Sequence, residues 1–122
     1  MPVAVVTGLT ERHDLKTLEG GFVVVREMSY GERIMRQSMS GKLKLMADKK
    51  SEYAGEMEMA TAKLTYWDFA NLVVEHNCED ADGRTLNFKN FQDVDKLGPR
   101  IGEEIGSYID KLNSFEDIEE GN

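Results

Sequence analysis

A single cysteine, Cys78, and two histidines, His13 and His76, are all that the 122 residues offer of the soft and imidazole ligands. One cysteine excludes an internal disulfide framework, and so few ligands, far apart in the chain, leave little for a transition-metal site. No cofactor is expected. No run approaches the ~18 apolar residues that span a bilayer, and Met1-Pro2-Val3-Ala4-Val5-Val6 lacks both a basic segment and a long enough apolar stretch for a secretion signal. An intracellular, soluble protein without a membrane partner is expected. What is present is ordinary for a globular chain, with 40% hydrophobic and 31% charged residues, which suits one domain with one core. We read residues 1–115 as that domain, β-rich over 1–28 and helical over 29–115, and residues 116–122 as an acidic flexible tail.

Charge is distributed unevenly. Residues 1–50 carry nine Lys/Arg against six Asp/Glu, whereas residues 51–122 carry six against seventeen, within an overall charge of −8. Phosphate binding needs clustered cations, so nucleic acid is a poor partner for the second half and none is expected. In the first half Arg33, Arg36, Lys42, Lys44, Lys49 and Lys50 face only Asp48 over residues 33–50. Such a stretch reads either as a solvated face or as the rim of a binding surface.

Strands are expected at residues 2–6 and 22–27, the latter because Phe22-Val23-Val24-Val25 is aromatic and β-branched with glycines directly before it. Leu15-Lys16-Thr17-Leu18 is expected to pair back across Glu19-Gly20, with Gly20 or Gly21 at positive φ. Ser29-Tyr30-Gly31-Glu32 has capping-box spacing and predicts a helix from residue 30, with Met35, Met39, Leu43 and Met46 on one stripe and Arg33, Arg36 and Gln37 elsewhere. Residues 47–56 read as a surface connection. A further helix is expected from about residue 60, firm over 66–76, where Tyr66, Phe69, Ala70, Val73 and Val74 share one face. Asn77 to Arg84 reads as a turn, Leu86 and Phe88 as a short extended piece, and Phe91, Val94 and Leu97 as one or two helical turns closed by Gly98. From Pro99, the positions Ile101, Ile105, Tyr108, Ile109 and Leu112 predict a last amphipathic helix. The fold class is therefore α+β, a small N-terminal antiparallel β-hairpin or sheet followed by a mainly α-helical domain.

Several constellations invite chemistry. Asp80-x-Asp82-Gly83 has a calcium-loop step, yet with Gly83 at the sixth position Cys78 and Lys89 occupy the first and twelfth, where carboxylates matter most; a plain Asp-Gly turn is the better reading. His76 and Asn77 are expected to cap the helix at 66–76. A nucleophilic Cys78–His76 pair is too close in sequence to reach geometry easily, and no oxyanion-hole glycines adjoin it. The carboxylate pairs Glu103-Glu104 and Asp93/Asp95 are expected on solvent faces. No catalytic residue is assigned. Gly102 and Gly106 make a small-residue step on the last helix, which suits close packing either against the helix at 66–76 or in self-association with another subunit. Six of the seven methionines lie between residues 28 and 59, and methionine adapts to irregular apolar partners, so the stripe fills either the core or a groove for client helices.

The blocks Gly20-Gly21-Phe22-Val23-Val24-Val25-Arg26-Glu27-Met28-Ser29-Tyr30-Gly31-Glu32, Phe69-Ala70-Asn71-Leu72-Val73-Val74-Glu75-His76-Asn77, Asp82-Gly83-Arg84-Thr85-Leu86-Asn87-Phe88 and Pro99-Arg100-Ile101-Gly102-Glu103-Glu104-Ile105 resemble, in this order, the small tail assembly chaperones of long-tailed bacteriophages. The resemblance covers most of residues 13–115. It implies a non-enzymatic, helix-rich, self-associating protein of the host bacterial cytoplasm. That protein would coat the tape-measure protein until tail-tube subunits polymerise around it, with the tail-tube protein as a second candidate partner. In many relatives a longer frameshifted product exists, to which an acidic tail could serve as linker. On this expectation Met35, Met39, Leu43 and Met46 contact the client and Arg33 and Arg36 lie at its rim. The alternative is a structural virion subunit, a tail or head-tail connector protein. A small hydrolase or metal enzyme would need His76, Cys78 and the acids at 80–82 to converge.

Overall fold

The computed structural model describes the backbone over residues 2–48 and 54–113 and side chains over 2–39 and 61–113. The fold is α+β: strands β1 (Thr10–Asp14) and β2 (Phe22–Arg26), helices α1 (Tyr30–Asp48) and α2 (Ala54–Leu72), strand β3 (Val73–His76), the short α3 (Phe91–Asp95) and α4 (Pro99–Asn113). The strands form one antiparallel sheet in the order β1-β2-β3. β2, the most β-branched stretch, is central, and its period of two buries Val23 and Val25 completely while Phe22, Val24 and Arg26 stay half-buried.

The first strand lies later than expected. Residues 2–6 form no strand, and Val3, Val5 and Val6 are exposed; Thr10–Asp14 pairs with β2 from Thr10↔Arg26 to Asp14↔Phe22. This edge strand is polar, so no apolar alternation marks it, and it is held by its ladder and by side-chain stacking. The Arg12 guanidinium lies 4.0 Å from the centre of the Phe22 ring, and His13 stacks on Tyr108 at 4.0 Å. Residues 15–18 belong to the connection between β1 and β2, where Gly20 takes φ +79° and the Gly21 N–H donates to the Leu18 carbonyl at 2.9 Å.

The second correction concerns residues 73–76, which are strand and not the end of a helix. Val73-Val74 has helical spacing from Tyr66 and Phe69, yet the β-branched pair satisfies the second edge of β2 instead. The register steps from Val24↔Glu75 to Val25↔Val73. Val74 is thus the extra, exposed residue of a bulge. His76 and Asn77 accordingly cap no helix. The Asn77 side chain extends the ladder, its Oδ1 accepting the Phe22 N–H and its Nδ2 donating to the Gly20 carbonyl, both at 2.9 Å.

α1 begins where expected, and α2 begins at Ala54, earlier than expected; of the connection expected at 47–56, residues 49–53 lie outside the described residues, as does the acidic tail at 116–122. α4 packs on β2 and α2. Ile105 and Ile109 are buried with Val23, Val25, Phe69, Leu72, Leu86 and Phe88 in one apolar cluster. Asn113 is 1% exposed and closes the end of this layer: its Oδ1 accepts the Met28 N–H at 2.8 Å and its Nδ2 donates to the Ile109 carbonyl at 3.0 Å.

Candidate functional site

The candidate site is the start of α1, and its geometry follows from the capping box. Ser29 Oγ accepts the Glu32 N–H at 3.2 Å, and Glu32 Oε1 accepts the Ser29 N–H at 2.9 Å. Arg26 then grips Glu32 with two parallel bonds of 2.9 and 2.7 Å and donates from Nε to the Asn71 carbonyl at 2.7 Å. One guanidinium thus joins the end of β2, the start of α1 and the end of α2. Its hydrogen bonds, reinforced by the Ser29 N–H, hold the Glu32 carboxyl down at about 2 against the opposing pull of burial.

With its first turn fixed, α1 turns Tyr30 and Ile34, four residues apart, to the same outer side, with Met35 beside them. They are 78%, 49% and 43% exposed. Of the expected methionine stripe, Met35 is on this surface, Met39 is half-buried, and the side chains of Leu43 and Met46 lie outside the described residues. Tyr30 and Ile34 lie off the line through the methionines, so methionine spacing alone does not reveal them.

The two arginines expected at the rim are structural. Arg36 donates to both carboxylate oxygens of Asp68 at 3.0 and 2.9 Å, with side-chain exposures of 11% and 12%, which clamps α1 to α2. Arg33 donates to the Asn113 carbonyl at 2.9 Å and so ties α1 to the end of α4. Both have internal acceptors because the α1 face that carries them is the inner one.

Gly102 and Gly106 show no tight packing. A methyl group at Gly102 would meet Leu97 Cβ at 4.0 Å, and one at Gly106 would meet nothing within 4 Å. The two glycines line an opening between α2 and α4 instead.

The groups singled out for chemistry do not converge. His76 stacks on Phe88 at 3.9 Å, its Nδ1 accepts the Cys78 N–H at 3.0 Å, and burial pushes its pKa down. The Cys78 thiol is buried and pushed up, away from thiolate. Asp80 Oδ1 accepts the N–H groups of Asp82 and Arg84 at 2.9 and 3.0 Å, with Gly83 at φ +81°, which is an Asx turn. Among the described residues no three His, Cys, Asp or Glu side chains gather as metal ligands.

Of the acidic pairs, Glu103 and Asp95 are exposed as expected, whereas Glu104 and Asp93 are half-buried. Glu104 accepts from the backbone N–H of Lys16 (2.8 Å), the N–H and hydroxyl of Thr17 (2.9 and 2.6 Å) and the Tyr108 hydroxyl (2.5 Å). Burial alone would raise its pKa, but these donors bring it down to about 2. Asp93 accepts the Asn87 N–H at 2.8 Å, and Asp95 accepts the Tyr66 hydroxyl at 2.5 Å.

Among the described residues no helix is long and apolar enough to cross a membrane. No family model matches the chain, and neither a curated protein nor a solved structure matches it.

Proposed function

We propose that the protein is a tail assembly chaperone of a long-tailed bacteriophage, which binds the helical tape-measure protein in the host cytoplasm and keeps it soluble until the tail tube polymerises. The observation that carries this reading is the exposed apolar face of Tyr30, Ile34 and Met35 on a helix whose Arg33 and Arg36 are turned inward to Asn113 and Asp68. A holdase needs adaptable apolar contacts repeated along a long client, and a rigidly capped helix presents them without changing its own shape. The order of the sequence blocks supplies the phage context. The protein acts by binding and not by catalysis.

The test is co-expression with the long helical reading frame that neighbours this one in its genome, measuring the soluble fraction of that product. The client is expected in the supernatant only when this chain is present, and in the pellet when Tyr30, Ile34 and Met35 are replaced by serine in a variant that keeps its circular dichroism. A client soluble alone, or insoluble in every case, overturns the proposal. The exposed residues Val3, Val5 and Val6 favour the second reading, a virion subunit that assembles through its N-terminal segment. Stable rings formed without client at high salt would bring that reading forward.

A further inference from the structure

The opening between α2 and α4 is a groove of about 540 Å³, a volume in the range of binding pockets. Its floor is apolar, built from Phe69, Val94 and Leu97, and one wall is the strip Gly98, Gly102 and Gly106 of α4. Interior glycines weaken a helix relative to alanine, a cost commonly offset by close approach of another backbone. Here a side chain at Gly106 would enter open space. No described part of the chain uses the room that the glycines leave.

The charged residues described in the lining of this groove are of one sign. Its described lining includes Asp68, Asp95 and Glu103 and neither lysine nor arginine. Asp68 is matched by Arg36 from α1, whereas Asp95 and Glu103 are exposed at the rim.

We propose that this groove receives an amphipathic helix with small apolar residues on its inner face and Lys or Arg on its flanks. Resting on the helix-binding function proposed above, this assigns the client a second point of attachment, distinct from the face at Tyr30, Ile34 and Met35. The small residues of the guest cross α4 at Gly102 and Gly106, where the two backbones come close, and the flanking cations meet Glu103 and Asp95. A second copy of α4 is a poor occupant. A two-fold contact across this strip would bring Glu103 of one copy toward the same carboxylate of the other.

The test uses the full chain and a fluorescein-labelled helical peptide of about 20 residues with an alanine-leucine stripe and lysine flanks, read by fluorescence polarisation. The unaltered protein is expected to bind it saturably. Gly106→Leu, which fills the groove, is expected to weaken binding by about tenfold or more without lowering the thermal midpoint. Glu103→Arg, an exposed charge reversal, is expected to weaken it as well and to flatten its salt dependence, and it carries the test should Gly106→Leu fold poorly.

Absence of saturable binding, or binding that neither variant changes, overturns the groove. Conversion of an oligomer to a monomer by Gly106→Leu, with no peptide bound, assigns the groove to a second copy and overturns the proposal too. The two readings fail separately. Should the tape-measure product stay soluble with both variants, the groove is wrong and the chaperone stands; should the peptide bind while no client is ever solubilised, the reverse holds.

Discussion

Asp68 and Arg36 carry one of the least solvated ion pairs described in this fold, and the pair joins the two long helices. Removing one member takes a charge-assisted bond from the other where little water can replace it, which is typically far more costly than the net value of the pair. Asp68→Ala is therefore expected to lower unfolding stability by about 3 kcal/mol in a urea titration, whereas a surface pair such as Arg12–Asp14 is expected to be worth less than about 1 kcal/mol. No sequence signal announces this pairing. The partners are 32 positions apart, and Arg36 read equally well as a cation free to meet a client. Asn113 was hidden for a similar reason: a lone amide near the end of an amphipathic helix becomes a structural centre only when β2 ends beside it.

The elements with local signals of their own were legible. α1 is announced by Ser29 and Glu32, and α4 by Pro99 and the apolar positions that follow at helical spacing. Since the reciprocal capping bonds both form, Ser29→Ala is expected to cost about 1 kcal/mol. The loss should be visible as a lower urea midpoint with an unchanged slope, and Ser29→Asp should restore most of it. The elements that failed to show themselves are those whose structure is lent by a neighbour. β1 is polar and takes its register from β2. β3 is only four residues long, follows α2 without a break, and its two valines continue a helical stripe until the open edge of β2 claims them. The groove had only the glycine spacing as its signal, which pointed to close packing; that the glycines border a gap depends on how α2 and α4 diverge.

Over the whole molecule, two carboxylates bind distant segments together while ionised. Glu32 holds α1 to β2 through Arg26, and Glu104 holds the connection at Lys16 and Thr17 to α4; both titrate at about 2 in the folded protein. Their unfolded values are near the ordinary glutamate value of ~4.3, so between those limits the unfolded chain binds more protons. The stability they contribute is fully present above about pH 5 and is lost as pH falls toward 2. Urea unfolding at successive pH values is expected to show this decline, and Glu104→Gln should be less stable at pH 7 and show a shallower acid slope. An identical slope in that variant would remove Glu104 from the account.

The order of the strands also has a consequence in time. β2 can pair with β1 as soon as residue 26 has been made, because only a short connection must close. Its other edge waits until both long helices have been synthesised, and the closing loop of 46 residues between Arg26 and Val73 carries a larger entropic cost than the hairpin. On the ribosome β1 and β2 are therefore made before the elements that cover Val23 and Val25, and a lone two-stranded hairpin is at best marginally stable in water. That interval is when this chain is itself most in need of being kept from aggregation.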